Sequence, residues 1–316
     1  MLVRLREWVV DAAGKAYNGG MERVQFSGMP EGVFRIFLQG MLFAFCLGLP
    51  DVADAMLASE RRPVEGMTRR AKMAKMQKAA EAGDVAAQLW LADRYFTGRD
   101  GGQNVVKARE WSEKAAEKGA REAQYYLGVM YVMGMGVDQD PAKGAWWLEK
   151  AALQGDVRAQ FYLGQMAFNG EGIEKDWERA AVWWTMGAAR GERKSLYNLG
   201  LSYYHGRGVR PDYVRAADLW MRASEQGLKE AQYNLGILYE RGQGVMQDKA
   251  RAHALYRKAA EQGHPLAQMV MGVICETGKD GAPVDTDQAM MWYEKAAEQG
   301  IPEAVWRLRV LKGVDQ

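Results

Sequence analysis

The chain has 316 residues, of which 48% are hydrophobic and 26% are charged, an ordinary composition for a globular protein. Its 42 lysine and arginine residues almost balance its 40 aspartate and glutamate residues, and no basic block stands out, which argues against a nucleic-acid-binding protein. The two cysteines, Cys46 and Cys275, are too few for a disulfide framework.

One uncharged apolar run lies near the amino terminus, at residues 36–49. It is shorter than the roughly 20 residues that a transmembrane helix needs, and its length suits the apolar region of a secretory signal. Small residues follow it at Ala53 and Ala55, as in a signal cleavage site. We therefore predict that residues 1–55 are a signal peptide or leader, and that the protein is periplasmic or secreted.

The stretch before this apolar run is unusually long for a signal peptide, which indicates an internal start at Met21 or Met29. Cleavage would leave a mature chain beginning near Met56, with residues 56–70 as a linker. Two alternatives remain for the apolar run: an uncleaved inner-membrane anchor, or a buried helix that docks on the next part of the chain.

Glycine recurs at a fixed interval through the rest of the chain. The interval is 36 residues, and 37 for the last step: Gly83, Gly119, Gly155, Gly191, Gly227, Gly263 and Gly300. A period between 20 and 50 residues is typical of a solenoid, which offers an extended binding surface and no deep pocket.

Residues 120–155 show what one copy contains. Ala123, Leu127 and Tyr131 are spaced by four residues and share one face of a helix. Gly128 lies beside that face, and because a glycine inside a helix costs about 0.5–1 kcal/mol relative to alanine, we expect a partner helix to approach closely there.

A second helix follows in the same copy. Asp140 before Pro141 is a good start for it, because aspartate caps a helix and proline fits its first turn. Trp147 and Ala151 share one face, and Gly155 is expected to end the helix in the left-handed conformation.

The same columns recur in every copy. The first-helix columns are leucine (Leu91, Leu127, Leu163, Leu199, Leu235, Met271), small (Ala92, Gly128, Gly164, Gly200, Gly236, Gly272) and aromatic (Tyr95, Tyr131, Ala167, Tyr203, Tyr239, Cys275). The second-helix column is Trp111, Trp147, Trp183, Leu219, Leu255 and Trp292. We predict an all-α solenoid, a superhelix of helix-turn-helix repeats, spanning residues 71–316 with six full repeats in 84–300 and half-repeats at both ends.

This pattern resembles the Sel1-like repeat, a relative of the tetratricopeptide repeat. The residues that carry the resemblance are Ala123-Gln124-x-x-Leu127-Gly128-x-x-Tyr131-x-x-Gly134-x-Gly136-Val137 and Ala145-x-Trp147-x-x-Lys150-Ala151-Ala152-x-x-Gly155. The resemblance implies a right-handed α-superhelix used for protein–protein contacts, often in bacterial envelope, signalling or secretion settings.

Candidate catalytic and metal-binding residues are few. His205, His253 and His264 fall in different columns without metal-ligand spacing. Cys275 occupies the aromatic core column and is expected to be a buried, inert thiol. The Gly-x-Gly-Val turns lack the phosphate-loop motif and follow no strand, so we interpret them as turns between helices. We predict no catalytic residue, metal or cofactor.

One set of first-helix residues points away from the Ala-Leu-Tyr core face. In tetratricopeptide-like stacks, the same side of the first helix faces the concave groove. Aromatic side chains are frequent among the residues that dominate binding energy in such grooves. The predicted protein-binding residues are Trp90, Asp93, Tyr125, Tyr126, Val129, Phe161, Tyr162, Gln165, Phe168, Tyr197, Asn198, Leu201, Tyr204, Tyr233 and Asn234. If they line a groove, Tyr125, Phe161 and Tyr197 should keep exposed area; the alternative is that these residues pack on the neighbouring repeat.

The function predicted from the sequence is an exported adaptor that binds another protein or peptide. The prediction includes no nucleic-acid partner, and membrane contact only through an uncleaved leader. Two alternatives use the same repeats: a membrane-anchored assembly factor, and an envelope hydrolase or β-lactam- or cell-wall-binding protein. A cysteine-rich branch of the Sel1-like repeat family, for which β-lactam binding is proposed, has paired cysteines. This chain lacks such pairs.

Overall fold

A computed structural model describes residues 69–99 and 102–313, and these residues form fourteen α-helices and one 3₁₀ turn. The helices are α1 (Arg69–Glu81), α2 (Val85–Thr97), α3 (Val105–Glu117), α4 (Arg121–Met133), α5 (Pro141–Leu153), α6 (Val157–Asn169), α7 (Trp177–Ala189), α8 (Arg193–His205), α9 (Tyr213–Glu225), α10 (Lys229–Arg241), α11 (Lys249–Glu261), α12 (Pro265–Thr277), α13 (Thr286–Glu298) and α14 (Pro302–Leu311). The predicted leader at 1–55, its apolar run and the linker up to residue 68 lie outside the described residues.

Each helix packs mainly on the helices directly before and after it in the chain. Six helix pairs, α2–α3 to α12–α13, form six repeats, with α1 before them and α14 after them. No strand occurs within the described ranges. The prediction of an all-α solenoid is confirmed, and the predicted leucine and second-helix columns are buried throughout.

The second helix of every repeat begins at an Asp or Asn that serves two purposes. Its side chain accepts a hydrogen bond from a backbone N–H in the first helical turn, and its own N–H closes the loop by donating to a carbonyl of the aromatic column. These residues are Asn104, Asp140, Asp176, Asp212, Asp248 and Asp285. Asp285 still reaches the carbonyl of Cys275, at 2.8 Å, so the extra residue of the last repeat is absorbed by the 3₁₀ turn Lys279–Gly281.

The small column gives the second helix room to approach the first, as expected from Gly128. A Cβ on Gly200 would overlap the indole of Trp220, whose Nε1 donates to the carbonyl of Tyr197 at 3.1 Å. The same overlap pairs the other glycines of the small column with a buried second-helix side chain: Gly128 with Leu148, Gly164 with Trp184, Gly236 with Tyr256 and Gly272 with Tyr293. In the first repeat the equivalent residues, Ala92 and Ser112, are both small.

The second glycine of each Gly-x-Gly turn is more than a turn residue. At Gly208, φ is +74° and a Cβ would overlap the carbonyl of Trp177, at the start of the preceding repeat's second helix. The equivalent contacts are Gly136 with Val105, Gly172 with Pro141 and Gly244 with Tyr213. These glycines bring the backbones of consecutive repeats into direct contact.

Buried glutamines also join the repeats. Each donates from Nε2 to a carbonyl at the end of the preceding second helix, over 3.0–3.4 Å: Gln88 to Ala80, Gln124 to Ala116, Gln160 to Ala152, Gln232 to Ser224 and Gln268 to Ala260. Leu196 takes the glutamine position in one repeat, and there Arg222 donates to the corresponding carbonyl, of Ala188, at 3.1 Å. Carbonyl groups at the end of a helix have no hydrogen-bond donor within that helix. Here side chains of the next repeat supply the donor.

Candidate functional site

The fifteen predicted binding residues lie on the first helices α2, α4, α6, α8 and α10, but their exposure differs. Trp90, Tyr125 and Val129 are buried, and Gln165 is exposed. The others are partly buried: Asp93, Tyr126, Phe161, Tyr162, Phe168, Tyr197, Asn198, Leu201, Tyr204, Tyr233 and Asn234. We call the surface formed by the accessible side of these helices the first-helix face.

Tyr125 does not keep the exposed area that a groove at this position would require, because its side chain is 0% accessible. The guanidinium of Arg158, from the next repeat, lies 4.1 Å from the centre of the Tyr125 ring, and the Tyr162 ring lies 6.1 Å away. Burial raises the pKa of Tyr125 well above its ordinary value. Tyr125 therefore belongs to the contact between repeats; Val129 is also buried, so neither side chain is available to a partner.

The equivalent residues in later repeats contact their successors more loosely. The Lys194 ammonium lies 5.5 Å from the Phe161 ring, and the Tyr197 hydroxyl accepts a hydrogen bond from Asn234 at 3.3 Å. Each of these aromatic side chains keeps part of its surface accessible. We call Tyr125, Phe161 and Tyr197 the aromatic stripe; it packs on the neighbouring repeat at Tyr125 and also contributes to the surface at Phe161 and Tyr197. Both alternatives that the sequence left open therefore apply in part.

Arg158 is the main residue of this region that the sequence pattern did not reveal. It forms a two-pronged ion pair with Asp156, at 2.6 Å and 3.1 Å, and Asp156 also caps α6. Burial by itself would lower the pKa of Arg158, but its hydrogen bonds to Asp156 raise the pKa above the ordinary value. Arg158 remains charged beneath Tyr126, whose ring centre is 5.5 Å away. An equivalent cation, Lys194, lies two positions after the acidic cap Glu192 of α8, and this repetition is the signal that would have found Arg158.

A column of partly accessible residues lies next to the aromatic stripe on the first-helix face. Tyr126 and Tyr162 occupy it in the second and third repeats, and Asn198 and Asn234 occupy it in the fourth and fifth. The rings offer flat apolar surfaces, and the carboxamides offer a donor and an acceptor that match a peptide group. This column can bind an extended chain by stacking at one end and by hydrogen bonding at the other.

The described part of the chain holds no cluster of three His, Cys, Asp or Glu side chains with metal-binding geometry. Cys275 is 6% accessible, and burial raises its pKa, which confirms the expected buried thiol. The helices of residues 69–99 and 102–313 include none long and apolar enough to cross a bilayer.

His264 has a structural role that the sequence did not indicate. Its Nδ1 accepts the N–H of Ala267 at 3.2 Å and caps α12, while its ring stacks on Tyr233 with centres 4.5 Å apart. This cap requires a neutral imidazole. Burial, helped by the nearby charge of Lys229 and opposed by that of Glu230, lowers the pKa of His264 below its ordinary value.

We expect His264 to make the array less stable in mild acid. Because its folded-state pKa lies below the unfolded value of about 6.5, its stabilisation is complete above that pH and is lost as the pH falls through the folded-state pKa. The His264→Asn variant keeps a capping side chain without a proton to gain. Urea unfolding at pH 7.5 and pH 5 should show a smaller acid loss of unfolding free energy in the variant; equal losses would contradict this role.

Comparison with known proteins gives one family. The Sel1 repeat matches residues 85–119, 121–156, 157–192, 193–228, 229–264 and 265–301. A solved Sel1 repeat protein from Oxalobacter formigenes is 28% identical, with a TM-score of 0.63, over 72% of this chain and 99% of that one. A protective antigen of uropathogenic Escherichia coli with an SLR fold is 32% identical, with a TM-score of 0.54, over 76% of this chain and 59% of that one. No curated protein sequence matches the chain.

Proposed function

Because the chain belongs to the Sel1 repeat family, whose members are generally protein-interaction scaffolds, we propose that it is an adaptor whose first-helix face binds an extended segment of a partner protein. The observation that carries this proposal is a partly accessible column with one residue per repeat along consecutive first helices: Tyr126, Tyr162, Asn198 and Asn234. Multi-point contact of this kind suits a segment that spans several repeats.

The surface is held in place before a partner arrives. Tyr126 lies between neighbouring first helices beside Arg158, and Asn234 is tied to Tyr197 of the preceding repeat. Side chains fixed by such contacts lose little conformational entropy on binding, so more of the interaction energy appears as affinity. The aromatic members are the expected hot spots, because large rings at a rigid surface dominate most interfaces.

The test is site-specific photo-crosslinking in cells that express the full chain. A photoreactive phenylalanine analogue at Gln165, which is exposed and one turn from Tyr162, should give a crosslinked partner. The same analogue at Met246, a loop residue that is 89% exposed, is the matched control and should not give this adduct. Identical adducts from both positions would reject the first-helix face.

Two alanine substitutions then test the individual roles on that face. With the analogue at Gln165, Tyr162→Ala and Asn198→Ala should each lower the crosslinked fraction at least several-fold, because each removes one contact to the same segment. Far-ultraviolet circular dichroism should remain unchanged, since both residues are only partly buried. Unchanged crosslinking in both variants would contradict the assigned column.

We also propose that the protein is exported and acts in the periplasm or outside the cell. The support is the apolar run at 36–49, followed by Ala53 and Ala55. Amino-terminal sequencing of periplasmic or secreted material should begin near Met56. Recovery of an intact leader in soluble cytosolic protein would overturn export, and recovery in carbonate-washed membranes would favour an anchor.

A further inference from the structure

The boundary between the third and fourth repeats departs from the regular pattern at its buried positions. Every other boundary between full repeats has two buried alanines, one near the end of the second helix and one in the first turn of the next helix. Here those positions hold Gly187 on α7 and Ser195 on α8, and we call this contact the α7–α8 junction. The regular boundaries have Ala115 and Ala123, Ala151 and Ala159, Ala223 and Ala231, and Ala259 and Ala267.

Gly187 and Ser195 fit each other, but at a cost in stability. A Cβ on Gly187 would overlap the Ser195 hydroxyl, so the glycine makes room for the serine. A glycine inside a helix is less favourable than alanine, because its backbone loses more freedom on folding. Ser195 is 0% accessible, and its Oγ has no hydrogen-bond partner among the described residues. Since a buried polar atom of this kind gives up its hydration without replacement, the pair weakens the junction.

A chain of glutamine hydrogen bonds is interrupted at the same place. In the second, fifth and sixth repeats, the buried first-helix glutamine accepts a hydrogen bond from a glutamine that follows its own second helix, over 2.6–2.7 Å: Gln124 from Gln154, Gln232 from Gln262, and Gln268 from Gln299. In the third repeat Arg190 takes the donor position, and the buried Oε1 of Gln160 has no partner in the described ranges. In the fourth repeat Leu196 replaces the glutamine itself. The first repeat also lacks the donor, but its boundaries keep their alanines.

The contacts that remain across the α7–α8 junction are open to water or long. Arg222 donates to the carbonyl of Ala188 in place of the missing glutamine, but its side chain is 45% exposed, so water competes for this hydrogen bond. On the first-helix face, the Lys194 ammonium lies 5.5 Å from the Phe161 ring. The equivalent cation at the preceding boundary lies 4.1 Å from its ring. The third and fourth repeats are therefore held less tightly here than their neighbours are.

We propose that the α7–α8 junction is a hinge at which the array opens into two blocks, α1–α7 and α8–α14. At the other end of α7, the backbone contact of Gly208 with Trp177 joins the same two repeats. The opening therefore separates the end of α7 from α8 while the start of α7 stays in contact. Because Tyr162 lies on α6 and Asn198 on α8, the first-helix face crosses the hinge, and opening changes the spacing of its two halves.

Hydrogen exchange of the full 316-residue chain, followed by mass spectrometry, tests the hinge. Interior repeats have neighbours on both sides, so fraying from the ends alone gives the slowest exchange in the middle of the array. The hinge gives the opposite order. Amides at the end of α7 and the start of α8 should exchange at least about tenfold faster than those at the equivalent positions of α9 and α10. Equal or slower exchange at the α7–α8 junction would overturn the proposal.

An exchange of residue pairs between two boundaries tests the cause of the opening. Gly187→Ala with Ser195→Ala restores the alanines and should slow exchange at the junction at least about fivefold. Gly187→Ala alone should not slow it, because the new methyl group would overlap the serine hydroxyl. Ala223→Gly with Ala231→Ser is the matched control, which places the native pair between α9 and α10 and should speed exchange there. Unchanged exchange at the junction in the restored variant would reject the hinge.

Discussion

Replacing Gly208 by alanine is expected to lower the free energy of unfolding by about 2–5 kcal/mol. A left-handed backbone costs an L-residue about 1–2 kcal/mol, and overpacking in a fixed site adds about 1–3 kcal/mol. Gly208 meets both conditions, because its φ is +74° and a Cβ would overlap the carbonyl and the backbone carbon of Trp177. Urea denaturation followed by circular dichroism measures the loss.

Gly227→Ala is the matched control for this substitution. Gly227 has a φ of +80°, but no atom lies within 4 Å of the position that its Cβ would occupy. It should therefore show only the backbone cost of about 1–2 kcal/mol. The difference between the two variants isolates the contact between repeats, and equal losses would show that Gly208 acts only as a turn residue.

Replacing Gly200 by alanine is expected to have opposite effects in two backgrounds. In the native chain the new methyl group collides with the buried indole of Trp220, so we expect a loss of about 1–3 kcal/mol. Trp220→Ala alone should cost about 3–5 kcal/mol, because it leaves a cavity in the core. In that background the collision is gone, and Gly200→Ala should stabilise the helix by about 0.5–1 kcal/mol.

This reversal of sign distinguishes a packing role for Gly200 from a requirement for backbone flexibility. The four unfolding free energies, measured in urea, form a double-mutant cycle whose coupling term reports the Gly200–Trp220 contact. A destabilising effect of equal size in both backgrounds would mean that the glycine is needed for the backbone itself. Ala92 opposite Ser112 in the first repeat is the natural example of an alanine facing a smaller residue.

Both predictions concern glycines that recur with the 36-residue period. The sequence predicted the role of one kind of glycine but not the role of the other. The close approach expected at Gly128 is confirmed, because a glycine inside a regular helix already requires a neighbour. The contact of Gly208 with Trp177 was not predicted, since a Gly-x-Gly sequence between helices has a sufficient local explanation as a turn. Only the stacking of repeats brings residues 31 positions apart into backbone contact.

The candidate site shows the same limit. Helical spacing was enough to separate Tyr125, Phe161 and Tyr197 from the core face, because the period of an α-helix fixes which positions share a side. It was not enough to predict exposure, which depends on the residue that the next repeat places over each ring. Arg158 and Tyr162 cover Tyr125, whereas Lys194 and Asn234 leave Phe161 and Tyr197 partly accessible.

The sequence by itself determined the repeat, the helix pairs, the buried columns and the family, because those follow from local periodicity and from copies that can be compared with one another. The tertiary structure decided which surface residues remain available to a partner and how glutamines and glycines join the repeats. The physical reason is that burial and contact depend on pairs of side chains from neighbouring repeats, and their sizes and charges vary independently along each column.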